Sequence, residues 1–92
     1  MNKYESIIIV NPNVDEAELK ALEEKFVGLI NENGKVESVE NMGKRKLAYE
    51  IKKFNEGTYL LFNFEADPSS IVELERNYRI TDSVIKYIVV KK

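Results

Sequence analysis

Apolar residues along the chain recur at two spacings, every second residue in some stretches and every third or fourth in others, which separates strands from helices. Tyr4 to Val10 is β-branched and aromatic and is stopped by Asn11-Pro12-Asn13, the composition of a strand. Its unbroken apolar run implies a central position, buried on both faces. From Asp15 the period changes: Leu19, Leu22, Phe26, Leu29 and Ile30 fall at helical spacing, while Lys20, Glu23, Glu24 and Glu32 take mainly the opposite side. Asp15 is placed as the N-cap, Glu18 completes a capping box, Glu16 suits the positive end of the helix dipole, and Asn33-Gly34 offers a stop at a C′ glycine.

Val36 to Ile51 reads as a long strand with a twist or bulge at Asn41-Met42-Gly43, since glycine weakens an ordinary ladder. The stretch from Gly43 to Phe64 then predicts a β-hairpin, in which two runs rich in Leu, Ile, Tyr and Phe flank Asn55-Glu56-Gly57 and Gly57 supplies a positive φ. Thr58 to Phe64 alternates, turning Leu60, Phe62 and Phe64 toward the helices and Tyr59, Leu61 and Asn63 away from them. Asp67 and Pro68 open a second helix with Ile71, Leu74 and Tyr78 as its inner stripe, ending near Ile80-Thr81-Asp82. Val84 to Val90 is the last strand.

The order is therefore βαββαβ. With right-handed crossovers and a hairpin joining strands two and three, it predicts an α+β, ferredoxin-like fold with a four-stranded antiparallel sheet, order 4-1-3-2, and two helices on one face. Residues 1–92 are expected to form a single domain of this kind, near the lower size limit for one core that buries about 60 to 65% of the unfolded surface. The helix-free face should carry Ile7, Ile9, Tyr59 and Leu61, with Leu47 and Tyr49 beside them if no bulge intervenes. An apolar patch there invites a partner.

Composition narrows the chemistry. The chain has no cysteine and no histidine, so it lacks thiolate chemistry, the usual neutral-pH base and the commonest metal ligand. Catalytic, metal and cofactor sites are all expected to be absent. The pairs Asp15-Glu16 and Glu23-Glu24 suit capping and a solvated helix face, and Gly43-Lys44-Arg45 lacks the upstream glycine and following Ser or Thr of a phosphate-cradling loop. Ile7-Ile8-Ile9-Val10 is far shorter than a signal core or a span of roughly 20 residues, and a cytoplasmic protein without membrane contact is expected.

Fourteen basic and sixteen acidic residues give a formal net charge of -2, which on its face disfavours a polyanionic partner. The distribution changes that picture. Asp15, Glu16, Glu18, Glu23, Glu24 and Glu32 crowd the first helix against Lys20 and Lys25, whereas Arg76, Arg79, Lys86, Lys91 and Lys92 face only Asp82 in the last segment. Local field rather than net charge steers a polyanion. Lys44, Arg45, Lys46, Lys52 and Lys53 interleave with aromatic residues along the hairpin, a mixture suited to RNA, although lysines on an edge strand also block aggregation. Lys44, Arg45, Lys46, Lys52, Lys53 and Lys86 are the candidate phosphate contacts. Leu47, Tyr49, Tyr59 and Leu61 are the candidate protein interface, aliphatic enough to favour a protein over stacked bases. An RNA-recognition motif fits poorly, because Glu56 precedes Gly57 where a basic residue belongs and the first strand offers Ile7 and Ile9 in place of a stacking aromatic.

Tyr4-Glu5, Asn11-Pro12, Gly43-Lys44-Arg45-Lys46-Leu47-Ala48-Tyr49-Glu50-Ile51, Gly57-Thr58-Tyr59, Leu74-Glu75-Arg76, Arg79-Ile80-Thr81-Asp82 and Val89-Val90-Lys91 together resemble the bacterial small-subunit ribosomal protein S six (bS-six) family over essentially the whole chain. The resemblance implies a non-catalytic structural protein of the small ribosomal subunit. It further implies pairing with ribosomal protein S eighteen and binding to the central domain of the small-subunit ribosomal RNA, on the platform, with no small-molecule substrate. Many members of that family continue into a C-terminal tail, often acidic, and commonly have arginine where this chain has Lys86. Two other classes use the same fold: a small acylphosphatase-like enzyme and a ligand-sensing module that dimerises through its sheet. The first needs an arginine in the loop after strand one, which here is Asn11-Pro12-Asn13-Val14; the second would sediment as a free dimer rather than with ribosomal particles.

Overall fold

The computed structural model describes residues 1–92. The elements run β1 (Asn2–Val10), α1 (Glu16–Glu32), β2 (Gly34–Ile51), β3 (Phe54–Ala66), α2 (Pro68–Ile80) and β4 (Val84–Lys91). The strands form one antiparallel sheet in the order β2-β3-β1-β4, the expected ferredoxin-like order read from its other edge. β1 is an inner strand, as its unbroken apolar run requires. Its pairing with β3 sets Ile7 opposite Leu61 and Ile9 opposite Tyr59.

Side chains alternate across this sheet, so one residue in two meets the helices. Tyr4, Ile8 and Val10 from β1 and Leu60, Phe62 and Phe64 from β3 pack with Phe26 and Ile30 of α1 and Leu74 and Tyr78 of α2. Phe26 lies edge-on to both Tyr78 and Phe62, with centroid separations of 4.7 and 6.5 Å, the T-shaped arrangement that opposed ring quadrupoles favour. Asp15 caps α1 by accepting from the Glu18 amide at 2.8 Å. Asp67 occupies the N-cap of α2, but its side chain makes no capping bond; instead its carbonyl accepts from the Ser70 amide and hydroxyl.

Two glycines and one turn depart from the sequence-based expectation. Gly34 is not a left-handed cap; it opens β2 against Ala66, and the chain's exit from α1 is held by Asn31 Oδ1, which accepts from the Val36 amide at 3.0 Å. The hairpin turn is not Asn55-Glu56-Gly57. It is Lys52-Lys53, with φ of 49° and 70°, and β3 already starts at Phe54. Gly57 lies inside the strand, buried, where a Cβ would overlap the Ile9 Cγ2 methyl and lie 3.2 Å from the Val10 carbonyl oxygen. A turn signature and a close-approach glycine look alike in sequence. The bulge expected near Gly43 is present, between Asn41 and Gly43, and Gly43 takes φ 79°.

A second irregularity lies nearer the turn. Between Lys46, opposite Glu56, and Ile51, opposite Phe54, the residues Leu47 to Glu50 stand against Asn55 alone. The strand continues through this irregularity and turns Leu47 onto the helix-free face. Leu47, Ile9 and Ile85 are buried there as a small cluster, with Ile51, Phe54 and Tyr59 packed around it. Leu47 is only 8% exposed, so part of the patch expected to await a partner already serves the chain itself. Replacing Leu47 by Ala should therefore destabilise the isolated protein by about 2 kcal/mol, the low end for a buried leucine because the cluster is small and near the surface. A denaturant melt checks this as a lower midpoint at unchanged slope.

Inside the main core the Ser6 and Tyr78 hydroxyls share a hydrogen bond of 2.7 Å, both residues being fully buried. Burial pushes the Tyr78 phenol from its ordinary 10.0 up to about 12, the Ser6 hydrogen bond opposing the rise and the Glu75 carboxylate adding to it. Below pH 10 the phenol is neutral whether the chain is folded or unfolded. Between pH 10 and 12 only the unfolded chain releases the proton, so stability falls there, by up to roughly 2 to 3 kcal/mol. Tyr78→Phe should cost about 1 to 2 kcal/mol at neutral pH by leaving Ser6 unpaired, and because the wild type's pH-dependent loss is the larger, the difference should close above pH 10 and reverse toward pH 12. Parallel melts of both proteins across that range read the effect; a constant gap would refute it.

Candidate protein and nucleic-acid interface

The helix-free face divides into two halves along the strands. Toward one end it is polar: the Lys92 ammonium donates to Asn63 Oδ1 at 2.6 Å, the Asn63 amide donates to Ser38 Oγ at 3.1 Å, and Lys92 lies 4.0 Å from Glu5. Toward the hairpin end it is apolar. There Ile7, Ile9, Leu47, Tyr49, Tyr59 and Ile88 surround a shallow hollow of about 190 Å³. Ile9 and Leu47 form its floor, while Tyr49 at 64% and Ile88 at 47% exposure form its rim.

Of the four expected interface residues, the hollow brings together Leu47, Tyr49 and Tyr59. Leu61 is half-buried on the same face opposite Ile7 and Glu40, beyond the hollow's edge. Leu47 and Tyr49 reach this face because the Asn41–Gly43 bulge precedes them; Gly43, Arg45, Leu47 and Tyr49 then alternate onto one side without interruption. Ile88 was not singled out from the sequence. The alternation of Lys86, Ile88 and Val90 along β4 was the signal available for it.

The basic residues separate into three places. Arg45 lies over the Tyr59 ring at 6.0 Å from its centroid, and Lys86 lies over the Tyr49 ring at 5.5 Å while donating to the Tyr49 hydroxyl at 3.1 Å. Lys86 therefore lines the apolar hollow itself, and Arg45 lies beside it over Tyr59, each held against an aromatic face by the ring quadrupole. Lys44 and Lys46, opposite Thr58 and Glu56, project from the other side of the ribbon. Lys52 and Lys53 form the exposed tip. Lys52 and Lys86 also line a second depression together with Arg79, from the last turn of α2, a residue the sequence placed only within a generally basic segment.

No group of three or more Asp, Glu, His or Cys side chains converges as a metal site would require. The loop after β1 carries Asn13, whose amide donates to Asn11 Oδ1 at 2.8 Å, and no cation. No helix is long and apolar enough to cross a membrane. The surface features are an apolar hollow with a cationic rim and a basic depression beside it.

Comparison with known proteins accords with this arrangement. The model of the family described as ribosomal protein S6 matches residues 3–91. The small ribosomal subunit protein bS6 of Clostridium kluyveri is 55% identical over 92 residues, covering 99% of this chain and 97% of the relative. That of Clostridium perfringens is 54% identical over 93 residues, covering 100% and 98%. The crystal structure of 30S ribosomal protein S6 from Thermotoga maritima superposes with a TM-score of 0.94 at 44% identity, covering 99% of this chain and 87% of that one. An Arabidopsis thaliana protein with a TM-score of 0.57 at 15% identity shares the fold alone. Both the near-complete family match and the full-length relatives lead to one conclusion: the chain belongs to the ribosomal protein S6 family and is a non-catalytic structural component of the small ribosomal subunit, in the cytoplasm.

Proposed function

We propose that this chain, acting as one domain over residues 1–92, binds the central domain of the small-subunit ribosomal RNA, on the platform, as a heterodimer with ribosomal protein S eighteen. The observation that carries the reading is the apolar hollow on the helix-free face, lined by Lys86 and flanked by Arg45 over Tyr59. Protein hot spots combine Tyr and Arg anchors with aliphatic packing and exclude water, and Leu47, Tyr49, Tyr59 and Leu61 supply that mixture. Stacking on bases needs unobstructed aromatic faces, whereas here Tyr49 and Tyr59 each have a cation of this chain over the ring. Phosphate contacts come from among Lys44, Arg45, Lys46, Lys52, Lys53 and Lys86, not from all at once, since Lys44 and Lys46 project from the opposite side of the ribbon to Arg45. The net charge of -2 limits counterion release by the isolated chain, so the partner supplies much of the positive surface.

Two measurements test this. Titrating S eighteen onto the wild type and onto Tyr49→Ala and Ile88→Ala should show a loss of roughly 1 to 3 kcal/mol in partner affinity. Both residues are exposed, so denaturant midpoints should hold. Unchanged titrations would refute the docking surface. In the second, the isolated chain should bind a central-domain RNA fragment weakly and the heterodimer tightly. Glu at any one true phosphate contact should lower the slope of log affinity against log salt by about 0.9, by analogy with duplex DNA. Tight binding by the chain alone would overturn the division of labour.

A further inference from the structure

Beside the apolar hollow, the C-terminal end of α2, the start of β4 and the hairpin tip enclose a depression with Tyr78, Ile85 and Tyr87 in its walls and Lys52, Arg79 and Lys86 as its charged groups. No carboxylate lines it. Apart from the apolar hollow, the other depressions all hold acids: the one between the ends of α1 and α2 holds Glu32 and Glu73, and those along α1 hold Glu16, Glu23 or Glu18. Three cations from three separate elements meet where nothing neutralises them. Arg79 is exposed and makes no ion pair, whereas Arg76, one turn earlier, is held by Glu73 at 3.0 Å. Lys86 has only the neutral Tyr49 hydroxyl as partner.

The backbone at Lys52 points the same way. Lys52 and Lys53 hold φ of 49° and 70°, a region unfavourable to a residue with a Cβ, where Asn-Gly is the ordinary choice. A lysine held where glycine would be unstrained is consistent with a role for its charge there.

We infer that Arg79, with Lys52 and Lys86, forms a single phosphate-binding groove that grips the ribosomal RNA backbone. The guanidinium takes one phosphate in bidentate geometry, and the two ammonium groups flank it as point charges. This rests on the RNA-binding reading above and deepens it, because it moves the main grip from the Lys44–Lys46 strand to the α2–β4 corner. It also leaves the adjoining hollow free for protein, with Lys86 lining both.

The test uses the heterodimer with S eighteen and a central-domain RNA fragment across a potassium chloride series. Arg79→Gln should weaken RNA binding about threefold to tenfold and lower the salt slope by about 0.9. Adding Lys52→Gln should roughly double the change in slope, by analogy with duplex DNA, while Lys20→Gln on the acidic helix should behave as wild type. Wild-type affinity and slope in Arg79→Gln would overturn the groove while leaving RNA binding intact. A loss of S eighteen affinity in Arg79→Gln, without an RNA effect at saturating partner, would assign the groove to a protein carboxylate instead. A wild-type heterodimer that fails to bind the fragment would overturn the RNA reading and the groove together.

Discussion

Two helices can cover one face of a four-stranded sheet, and this chain has no third element for the other. Everything distinctive about the molecule follows from how that uncovered face is handled. A sheet left bare on one side must either be polar there or find apolar cover. This one does both. Glu5, Asn63, Ser38 and Lys92 make one half hydrophilic through a chain of side-chain contacts, while at the hairpin end Leu47 packs on Ile9 and Ile85 and shields part of the apolar half. What remains is the hollow between Tyr49, Tyr59 and Ile88.

Such partial self-coverage reconciles a folded single chain with a surface built for contact. Had the whole face been apolar, the free chain would expose a long hydrophobic strip and aggregate. Had it been wholly polar, no partner could gain by excluding water. Leu47 and Ile9 give the site a rigid floor, and the exposed rim residues can change neighbours at little cost to the fold. Arg45 and Lys86 rest on the two tyrosine rings, which keeps their charge beside the hollow without burying it.

Much of this was legible in the sequence, and the exceptions share one cause. Element order, sheet order, the Phe26, Phe62 and Tyr78 core and the Gly43 bulge all rest on local periodicity or local turn chemistry, which a single sequence displays. The hairpin turn could not be read that way. Asn55-Glu56-Gly57 carries turn chemistry, but Gly57 is needed for a contact with Ile9, nearly fifty residues away in sequence, and Lys52-Lys53 carries no turn signature at all. Gly34 was misread for the same reason: its neighbour is Ala66, not the helix it follows. Leu47 and Tyr49 were placed on the correct face, yet the burial of Leu47 against Ile85 depends on a bulge in β4, where Ile85 is the extra residue between Val84, opposite Val10, and Lys86, opposite Ile9. Nothing near Leu47 encodes that. Arg79 meets Lys52 and Lys86 only because the fold brings the helix end and the hairpin tip to one corner.

Charge placement completes the logic. An acidic α1 and a net charge of -2 repel a polyanion from most directions, so approach is restricted to the side where cations outnumber acids. That side is the hairpin, the end of α2 and the start of β4. Lys86 is the hinge of the arrangement, since it lines both the apolar hollow and the basic depression and is tied to Tyr49 by a hydrogen bond and by its ring. A ligand that shifts Tyr49 and one that shifts Lys86 would therefore act on the same contact. Binding at either place then changes the free energy of the other by the same amount, as linkage requires. Two adjacent surfaces that share one lysine are thus coupled through it, and the sign of that coupling is set by which ligand Lys86 contacts when both are bound.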